Sequence, residues 1–111
     1  MLGFFKMKKT IRDLINNNKD DDIAITSDNS KPLKFSELKK HVYNISSQLS
    51  GNGILKTDRA AIILPNGPEM ATTFLAISSY MSAAPLNPSY KLSEYEFYLE
   101  DLKPKIVIVE K

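Results

Sequence analysis

The sequence predicts an α/β fold, a partial Rossmann-like parallel sheet of βαβαβ type preceded by a β-hairpin. Three short apolar runs bounded by turn residues are expected to be strands, namely residues 60–64, 83–86 and 106–109. Helical segments separate them, and strands that alternate with helices form parallel sheets through right-handed crossovers. Residues 23–26 and 33–35 surround a polar turn and predict the hairpin.

The first parallel strand and the turn after it give the clearest signal. Residues 60–64 are a continuous Ile-rich run, which is typical of a strand buried on both faces. Pro65 cannot continue the hydrogen-bonded ladder, and the Asn-Gly pair after it favours a turn. Pro68 suits the first turn of a helix, where its missing N–H costs nothing. An apolar helix is therefore expected over residues 69–81.

Two amphipathic helices are expected on either side of this unit. Ser36 is predicted to cap the first, whose apolar stripe has spacings of four, three and four: Leu38, Val42, Ile45 and Leu49. Ser93 and Glu96 are predicted to form a capping box for the second. Its inward residues are expected to be Leu92, Tyr95, Leu99 and Leu102.

Residues 106–109, Ile-Val-Ile-Val, predict a last, buried strand. No helical segment follows it in this sequence, so at least one face of the strand is expected to lack cover. An uncovered strand invites pairing with another chain, and self-association through the uncovered sheet is expected. Replacing Ile106 and Ile108 by Thr is expected to reduce that association.

The chain is expected to divide into two parts. Residues 1–22 are predicted to be a leader, a short helix capped by Thr10 and a polar loop, and residues 23–111 a subdomain. At the start, the lysines follow a very short apolar run, whereas a signal peptide has its charge before a longer one. A leader packed loosely on the surface is the favoured interpretation, and a weak membrane-facing anchor is the alternative.

Composition excludes several functional classes. With 111 residues, 42% apolar and 25% charged, the chain is ordinary for a small globular domain. The net charge of +2 and the scattered lysines argue against nucleic-acid binding. The absence of cysteine excludes disulfides and thiolate metal sites and fits an intracellular, cytoplasmic protein. No apolar run is long enough to be a transmembrane segment.

The order of motifs resembles the N-terminal region of adenylate-forming (AMP-binding) acyl-CoA synthetases, from about residue 23 to residue 111. The matching motifs are Pro-Leu-Lys-Phe-Ser-Glu-Leu at 32–38, the Asp-Arg-strand-Leu-Pro-Asn-Gly-Pro-Glu unit at 58–69, and Pro-Leu-Asn-Pro-Ser-Tyr at 85–90. Ala-Ala-Pro-Leu-Asn and Tyr-Glu-Phe-Tyr-Leu are most similar to the oxalate–CoA ligase branch. The resemblance implies an acid–CoA ligase that forms an acyl-adenylate and then a thioester, using ATP, Mg and coenzyme A with a carboxylic acid substrate.

The family's chemical motifs are absent from this sequence. They are a Ser/Thr/Gly-rich phosphate loop with a Lys, an aromatic-acidic adenylate motif, a ribose-binding Asp and a Lys of the mobile C-terminal domain. The sequence has four glycines, and no two of them frame a phosphate-cradling loop. We therefore expect no catalytic, cofactor-binding or metal-binding residue in this chain, and no activity of the chain alone.

Two interpretations of the chain and two locations follow from the resemblance. The sequence is expected to be a truncated N-terminal portion of a ligase, without activity. The alternative is a non-catalytic interaction module that pairs with a separately encoded remainder or with a full-length paralogue. For the complete family member, a peroxisomal location is an alternative to the cytoplasm.

Several polar residues are candidates for a site. His41, the single histidine, has no partner carboxylate or serine nearby in sequence, so a surface role is expected. Glu96 and Glu100 are four residues apart on one helix and are expected to be solvated. Asn87 and Tyr90 follow a parallel strand, where ligands of α/β sheets bind. A turn-stabilising role is favoured for Asn87 over a binding role.

Overall fold

The computed structural model describes residues 9–111, so the prediction of a leader falls almost wholly outside the described residues. Helices and strands follow the predicted α/β order, which confirms the fold class. They are α1 (Ile11–Asn16), β1 (Ile23–Ser27), β2 (Ser30–Lys34), α2 (Phe35–Gly51), β3 (Arg59–Ile63), α3 (Pro68–Ser78), β4 (Ser82–Pro85), α4 (Leu92–Leu102) and β5 (Ile106–Val109).

The sheet that organises the fold has three parallel strands in the order β4-β3-β5. Ala60 of the central strand lies opposite Ala83 on one side and Ile106 on the other. The crossover from β3 to β4 and the crossover from β4 to β5 run in opposite directions across the sheet. Because crossovers between parallel strands are right-handed, their helices α3 and α4 lie on opposite faces of the sheet. Strands β1 and β2 pair antiparallel in a separate hairpin, as the sequence predicts.

One face of the sheet packs against α2 and α3 and forms the main core. Its buried residues are Ile54, Ala60, Ile62, Leu64, Ile77 and Met81. Ile62, at the centre of the sheet, is fully buried. Ile106 and Ile108 of β5 pack against the same cluster. This face therefore contains apolar side chains from all three strands.

A second core joins the N-terminal segment to α2 and α3. Its buried residues are Ile15, Leu38, Val42 and Ala76. Arg12 donates from Nη2 to Ser46 Oγ at 2.8 Å, and Lys39 Nζ lies 2.7 Å from Asp20 Oδ1. The division at residue 22 stays a prediction, but Ile15 shows that the segment before residue 23 contributes to the packing.

Of the three predicted helix caps, the structure confirms one and contradicts two. Thr10 caps α1 as expected, since its Oγ1 accepts from the N–H of Asp13 at 3.1 Å. The prediction of Ser36 as a cap is wrong because α2 begins at Phe35, after Lys34 as N-cap. The N–H of Lys34 donates to Glu37 Oε1 at 3.3 Å. A carboxylate three residues after the cap thus fixes the start of the helix.

The same correction applies to α4. The predicted Ser93–Glu96 capping box is wrong because Lys91 is the N-cap and the helix begins at Leu92. The N–H of Lys91 donates to Glu94 Oε1 at 3.2 Å. Glu94 occupies the third position of the helix, where a carboxylate reaches back to the cap and also interacts favourably with the helix dipole.

The α4 side of the sheet is less covered than the sequence predicts. Helix α4 contains no buried residue, and Leu92, expected to point inward, is 75% exposed. Tyr95, Leu99 and Leu102 are only partly buried. Because α4 contacts the central strand β3, it shields that strand and leaves the neighbouring face of β5 open.

Strand β5 contains no buried residue, so the prediction of a buried strand is wrong: its isoleucines are partly buried and its valines are exposed. Ile106 and Ile108 pack into the main core, whereas Val107 is 43% exposed and Val109 is 58% exposed. The expected effect of Thr at Ile106 and Ile108 on self-association stays a prediction. The exposed side chains belong to the two valines, and Thr at the two isoleucines would remove core contacts.

Candidate functional site

The carboxyl ends of β3 and β4 are the natural place to look for a site, because open α/β sheets bind ligands beyond these ends. Strand β3 is followed by a short turn that leads through Gly67 into α3. Strand β4 is followed by the Leu-Asn-Pro-Ser-Tyr segment that leads into α4. Leu86 donates its N–H to the carbonyl oxygen of Ile62 at 2.8 Å, which holds this second segment beside the end of β3.

Asn87 organises the turn after β4. Its Oδ1 accepts a hydrogen bond from the N–H of Ser89 at 2.8 Å, and its carbonyl oxygen accepts from the N–H of Tyr90 at 3.2 Å. The hydroxyl of Tyr95 in α4 donates to the same carbonyl oxygen at 2.7 Å. An Asn side chain that accepts from the backbone two residues later is a local turn device. The Asn87 side chain therefore stabilises this turn and joins it to α4.

Tyr90 belongs to a cluster of aromatic rings at the start of α4. Its ring stacks on Tyr98 with centroids 5.1 Å apart and meets Tyr95 edge-on at 5.7 Å. Phe97, itself 66% exposed, meets Tyr98 edge-on at 5.3 Å. Partial burial raises the pKa of the Tyr90 hydroxyl, and the nearby Tyr98 and Glu94 add to the rise. Tyr90 is therefore a neutral packing residue at physiological pH.

The turn between β3 and α3 does not fit the phosphates of ATP. Gly67 has a φ of 153°, a conformation that side chains rarely adopt, and it is the N-cap of α3. The next residue, Pro68, has no N–H to offer an anion. A phosphate-binding loop needs several backbone N–H groups that converge on one point, and Pro68 removes one of them where α3 begins.

The part of the chain that the structure describes contains no cluster of side chains suited to metal binding or to catalysis by paired carboxylates. Among residues 9–111, no group of three or more His, Cys, Asp or Glu side chains could hold a metal ion. Glu96 and Glu100, expected to be solvated, are both exposed on α4. Asp20 is engaged by the ammonium group of Lys39.

His41 lies on the exposed side of α2, where it borders two grooves. The first, of about 320 Å³, has an apolar lining that includes Ile45, Ile106 and Ile108. The second, of about 380 Å³, brings His41 together with Lys31 and Glu69. Sequence reasoning missed these neighbours because Glu69 is far from His41 along the chain. No pattern in the sequence indicates a contact between helices α2 and α3 at that position.

Comparison with known proteins decides the family. A model of the family described as AMP-binding enzyme matches residues 13–111. The chain belongs to the family of AMP-binding enzymes. The predicted resemblance to the N-terminal region of adenylate-forming CoA ligases is thereby confirmed.

Two curated relatives are oxalate–CoA ligases, in agreement with the predicted branch. The protein from Saccharomyces cerevisiae is 44% identical over 69 residues, which are 61% of this chain and 12% of that ligase. The protein from Arabidopsis thaliana is 40% identical over 67 residues, which are 60% of this chain and 13% of that ligase. The chain thus spans about an eighth of the length of these relatives.

A solved structure supports the fold. The complex of VinN with 3-methylaspartate has a TM-score of 0.82 and 23% identity to this chain, covering 93% of this chain and 30% of VinN. At this identity the likeness concerns the fold alone. In residues 9–111, no helix has the length and apolar character to cross a bilayer.

Proposed function

We propose that this chain is the N-terminal part of an ATP-dependent acid–CoA ligase. Such an enzyme activates a carboxylic acid as an acyl-adenylate and then transfers the acyl group to coenzyme A. The observation that supports this proposal is the family match over residues 13–111, together with a parallel strand, turn and helix at residues 59–78. Identities of 44% and 40% to oxalate–CoA ligases favour a small dicarboxylate such as oxalate as the acid.

The role of this chain in the ligase is structural. Residues 9–111 contain no group of three His, Cys, Asp or Glu side chains that could hold a metal ion, and we expect other parts of the complete enzyme to bind ATP, Mg and coenzyme A. Without groups that neutralise the charge of ATP and position its α-phosphate, adenylate formation is not accelerated. The chain alone is therefore inactive. We expect the complete enzyme to reside in the cytoplasm, with peroxisomes as the alternative location.

A chimera tests the ligase assignment. Residues 13–111 replace the matching segment of the Saccharomyces cerevisiae oxalate–CoA ligase, and oxalate-dependent formation of AMP is measured. We expect activity to be retained, because the core-forming residues that support the rest of the enzyme are present. The matched control carries Ile62→Asp, which places a charge in the fully buried centre of the sheet and abolishes folding. A folded chimera without activity would contradict the assignment.

The inactivity of the isolated chain needs a separate experiment. Acid-dependent exchange of pyrophosphate into ATP is measured with the purified chain and with a no-protein control. We expect no exchange with oxalate or with any other carboxylate. Exchange above the control would show that this chain carries its own nucleotide site, and would overturn the structural role.

The alternative function is a non-catalytic interaction module. The open side of β5, with Val107 and Val109 exposed, is the observation that favours it. In that case the chain would bind a separately encoded remainder or a full-length paralogue. Mixing the purified chain with the yeast ligase lacking its matching segment distinguishes the two functions. Recovery of oxalate-dependent activity on mixing supports the module, and activity only in the covalent chimera supports the ligase part.

A further inference from the structure

The sequence contains two Asn-Gly pairs, Asn52-Gly53 and Asn66-Gly67. Asparagine is one of the chemically labile residues of proteins, because the backbone nitrogen of the next residue can attack its side-chain amide. Glycine in the next position makes this attack easiest, since it has no Cβ and its backbone moves freely. The two pairs have the same reacting groups and differ in the structure around them.

The first pair ends helix α2, and hydrogen bonds hold both of its reacting groups. Asn52 is the C-cap, and its Nδ2 donates to the carbonyl oxygen of Gln48 at 2.7 Å. The N–H of Gly53 donates to the carbonyl oxygen of Ser50 at 3.1 Å. Both bonds belong to the last turn of the helix, where carbonyl groups accept bonds from the residues that cap it. The attacking nitrogen and the amide under attack are therefore each engaged.

The second pair lies in the turn between β3 and α3 and lacks such bonds. Asn66 and Gly67 are both exposed. Within residues 9–111, neither the side chain of Asn66 nor the N–H of Gly67 makes a hydrogen bond. Steric space does not separate the two pairs, because a Cβ at either Gly53 or Gly67 would meet nothing within 4 Å. The local difference between the pairs is thus the hydrogen bonding of their reacting groups.

We propose that Asn66 is a site of spontaneous deamidation and that the cap of α2 protects Asn52 from the same reaction. The backbone nitrogen of Gly67 loses its proton to water and attacks Cγ of Asn66. A bond from this nitrogen to Cγ forms, and the bond from Cγ to Nδ2 breaks. The side-chain nitrogen leaves as ammonia, with a proton taken from water, and a cyclic succinimide remains. The reaction involves no oxidant, reductant or cofactor.

Water then opens the succinimide at one of its two carbonyl groups. Hydrolysis of the bond between the Gly67 nitrogen and Cγ gives aspartate at position 66 with a normal backbone. Hydrolysis of the bond between that nitrogen and the backbone carbonyl carbon gives isoaspartate. In isoaspartate the main chain runs through Cβ and Cγ, so it is one carbon longer. Both products replace a neutral amide by a negatively charged carboxylate.

The longer backbone of the isoaspartate form falls between two elements of the main core. Strand β3 ends at Ile63, and α3 begins at Pro68 with Gly67 as its N-cap. Gly67 has a φ of 153°, so the chain enters the helix through one particular backbone conformation. An additional main-chain carbon changes how α3 meets the sheet. We therefore expect the isoaspartate form to melt at a lower temperature than the unaltered chain.

Peptide mapping by mass spectrometry tests the proposal on the unaltered chain. The purified protein is incubated in neutral buffer, and conversion of both asparagines is followed in the same sample. The cap of α2 must release two hydrogen bonds before Asn52 reacts, so we expect Asn66 to be converted about thirtyfold faster. A parallel incubation in guanidinium chloride is the matched control, because unfolding removes the cap. There the two asparagines should react at similar rates.

Two variants separate the chemistry from its effect on the fold. Asn66→Gln requires a larger ring for the same attack, so this turn should stay unconverted. Asn66→Asp provides the first product directly, with a normal backbone, and should melt like the unaltered chain. The isoaspartate form, separated by ion-exchange chromatography, should melt lower than Asn66→Asp. Equal melting temperatures of these two forms would contradict the expected effect on α3.

Three results would overturn the proposal. The first is equal conversion of Asn52 and Asn66 in the folded chain. The second is a difference that persists in guanidinium chloride, which would assign it to the flanking sequence. The third is an Asn66 that stays intact in the folded chain while both asparagines react in the unfolded one, which would show that the fold protects this turn as well. None of these measurements involves ligase activity, so they are independent of the proposed function.

Discussion

The two faces of the parallel sheet differ in how completely helices cover them. On the face of α2 and α3, Ala60, Ile62 and Leu64 are buried in one apolar cluster. On the face of α4, Ala61 is buried, but the helix above it contains no buried residue. Helices α2 and α4 both looked amphipathic in the sequence. Apolar periodicity therefore identifies the face a helix turns inward, and says little about how much of a sheet it shields.

The difference has an energetic consequence, because burial contributes in proportion to the apolar area removed from water. The α2 and α3 face should carry most of the stability of the chain, and the α4 face rather little. Four pairs of substitutions compare the well-covered regions with the open ones.

The largest effect is expected at the centre of the covered face. Ile62→Ala should lower the free energy of unfolding by about 3–4 kcal/mol, because it leaves a cavity in a fully buried site. Val107→Ala on the open face should cost less than about 1 kcal/mol, since its side chain is partly solvated already. Urea unfolding at low protein concentration measures both. Similar losses for the two variants would contradict the contrast between the faces.

The next effect concerns the N-terminal helix. Ile15→Ala should cost about 2–3 kcal/mol, because Ile15 is buried with Leu38 and Val42 in the second core. Leu14→Ala serves as its control, since the neighbouring Leu14 is 53% exposed and should change stability by less than about 0.5 kcal/mol. If Ile15→Ala melts like the unaltered chain, α1 does not contribute to the core in solution.

A smaller effect is expected for one hydrogen bond of the main core. The hydroxyl of Tyr80 donates to the carbonyl oxygen of Ile54, which closes the loop after α2 onto α3. Tyr80→Phe should lower the free energy of unfolding by about 1 kcal/mol, because the partly buried carbonyl loses its partner. Tyr43→Phe, at a side chain that is 69% exposed, should have no measurable effect. Thermal melts of the two variants provide the comparison, and equal melting temperatures would argue against the bond.

The smallest effect is a gain in stability on the open side. Lys103 ends α4 with a φ of 49°, the left-handed conformation that glycine adopts without strain. Lys103→Gly should therefore raise the free energy of unfolding by about 0.5–1 kcal/mol. Lys105→Gly, two residues later and outside the left-handed region, should give no gain. A loss at Lys103 would mean that its long side chain contributes packing that outweighs the backbone strain.

Much of the fold could be predicted from local patterns. The Ile-rich run before Pro65 and the Pro at the start of α3 fixed a strand, a turn and a helix to within a few residues. The caps of α2 and α4 were predicted at the wrong residues, Ser36 and Ser93, because serine is a residue type that commonly caps helices. In both helices a glutamate three residues after a lysine bonds the backbone instead, a choice that side-chain preference alone cannot reveal.

The candidate site was less accessible to sequence reasoning. The turn role of Asn87 followed from its position after a strand, and its bond to the N–H of Ser89 has the geometry expected of such a turn. The stacking of Tyr90 on Tyr98 and the groove shared by His41 and Glu69 depend on how helices pack. Such contacts join residues from different elements, and no spacing in the sequence encodes them.

The central place of β3 has a consequence for the order in which the protein is made. Both of its neighbours, β4 and β5, come later in the chain, so a ribosome releases this Ile-rich strand before either pairing partner exists. Synthesis proceeds at about 5–20 residues per second, so the roughly 20 residues between β3 and the end of β4 take about one to four seconds. During that interval the amphipathic helix α2, already synthesised, is the element that can shelter the nascent strand from chaperones, proteases and neighbouring chains.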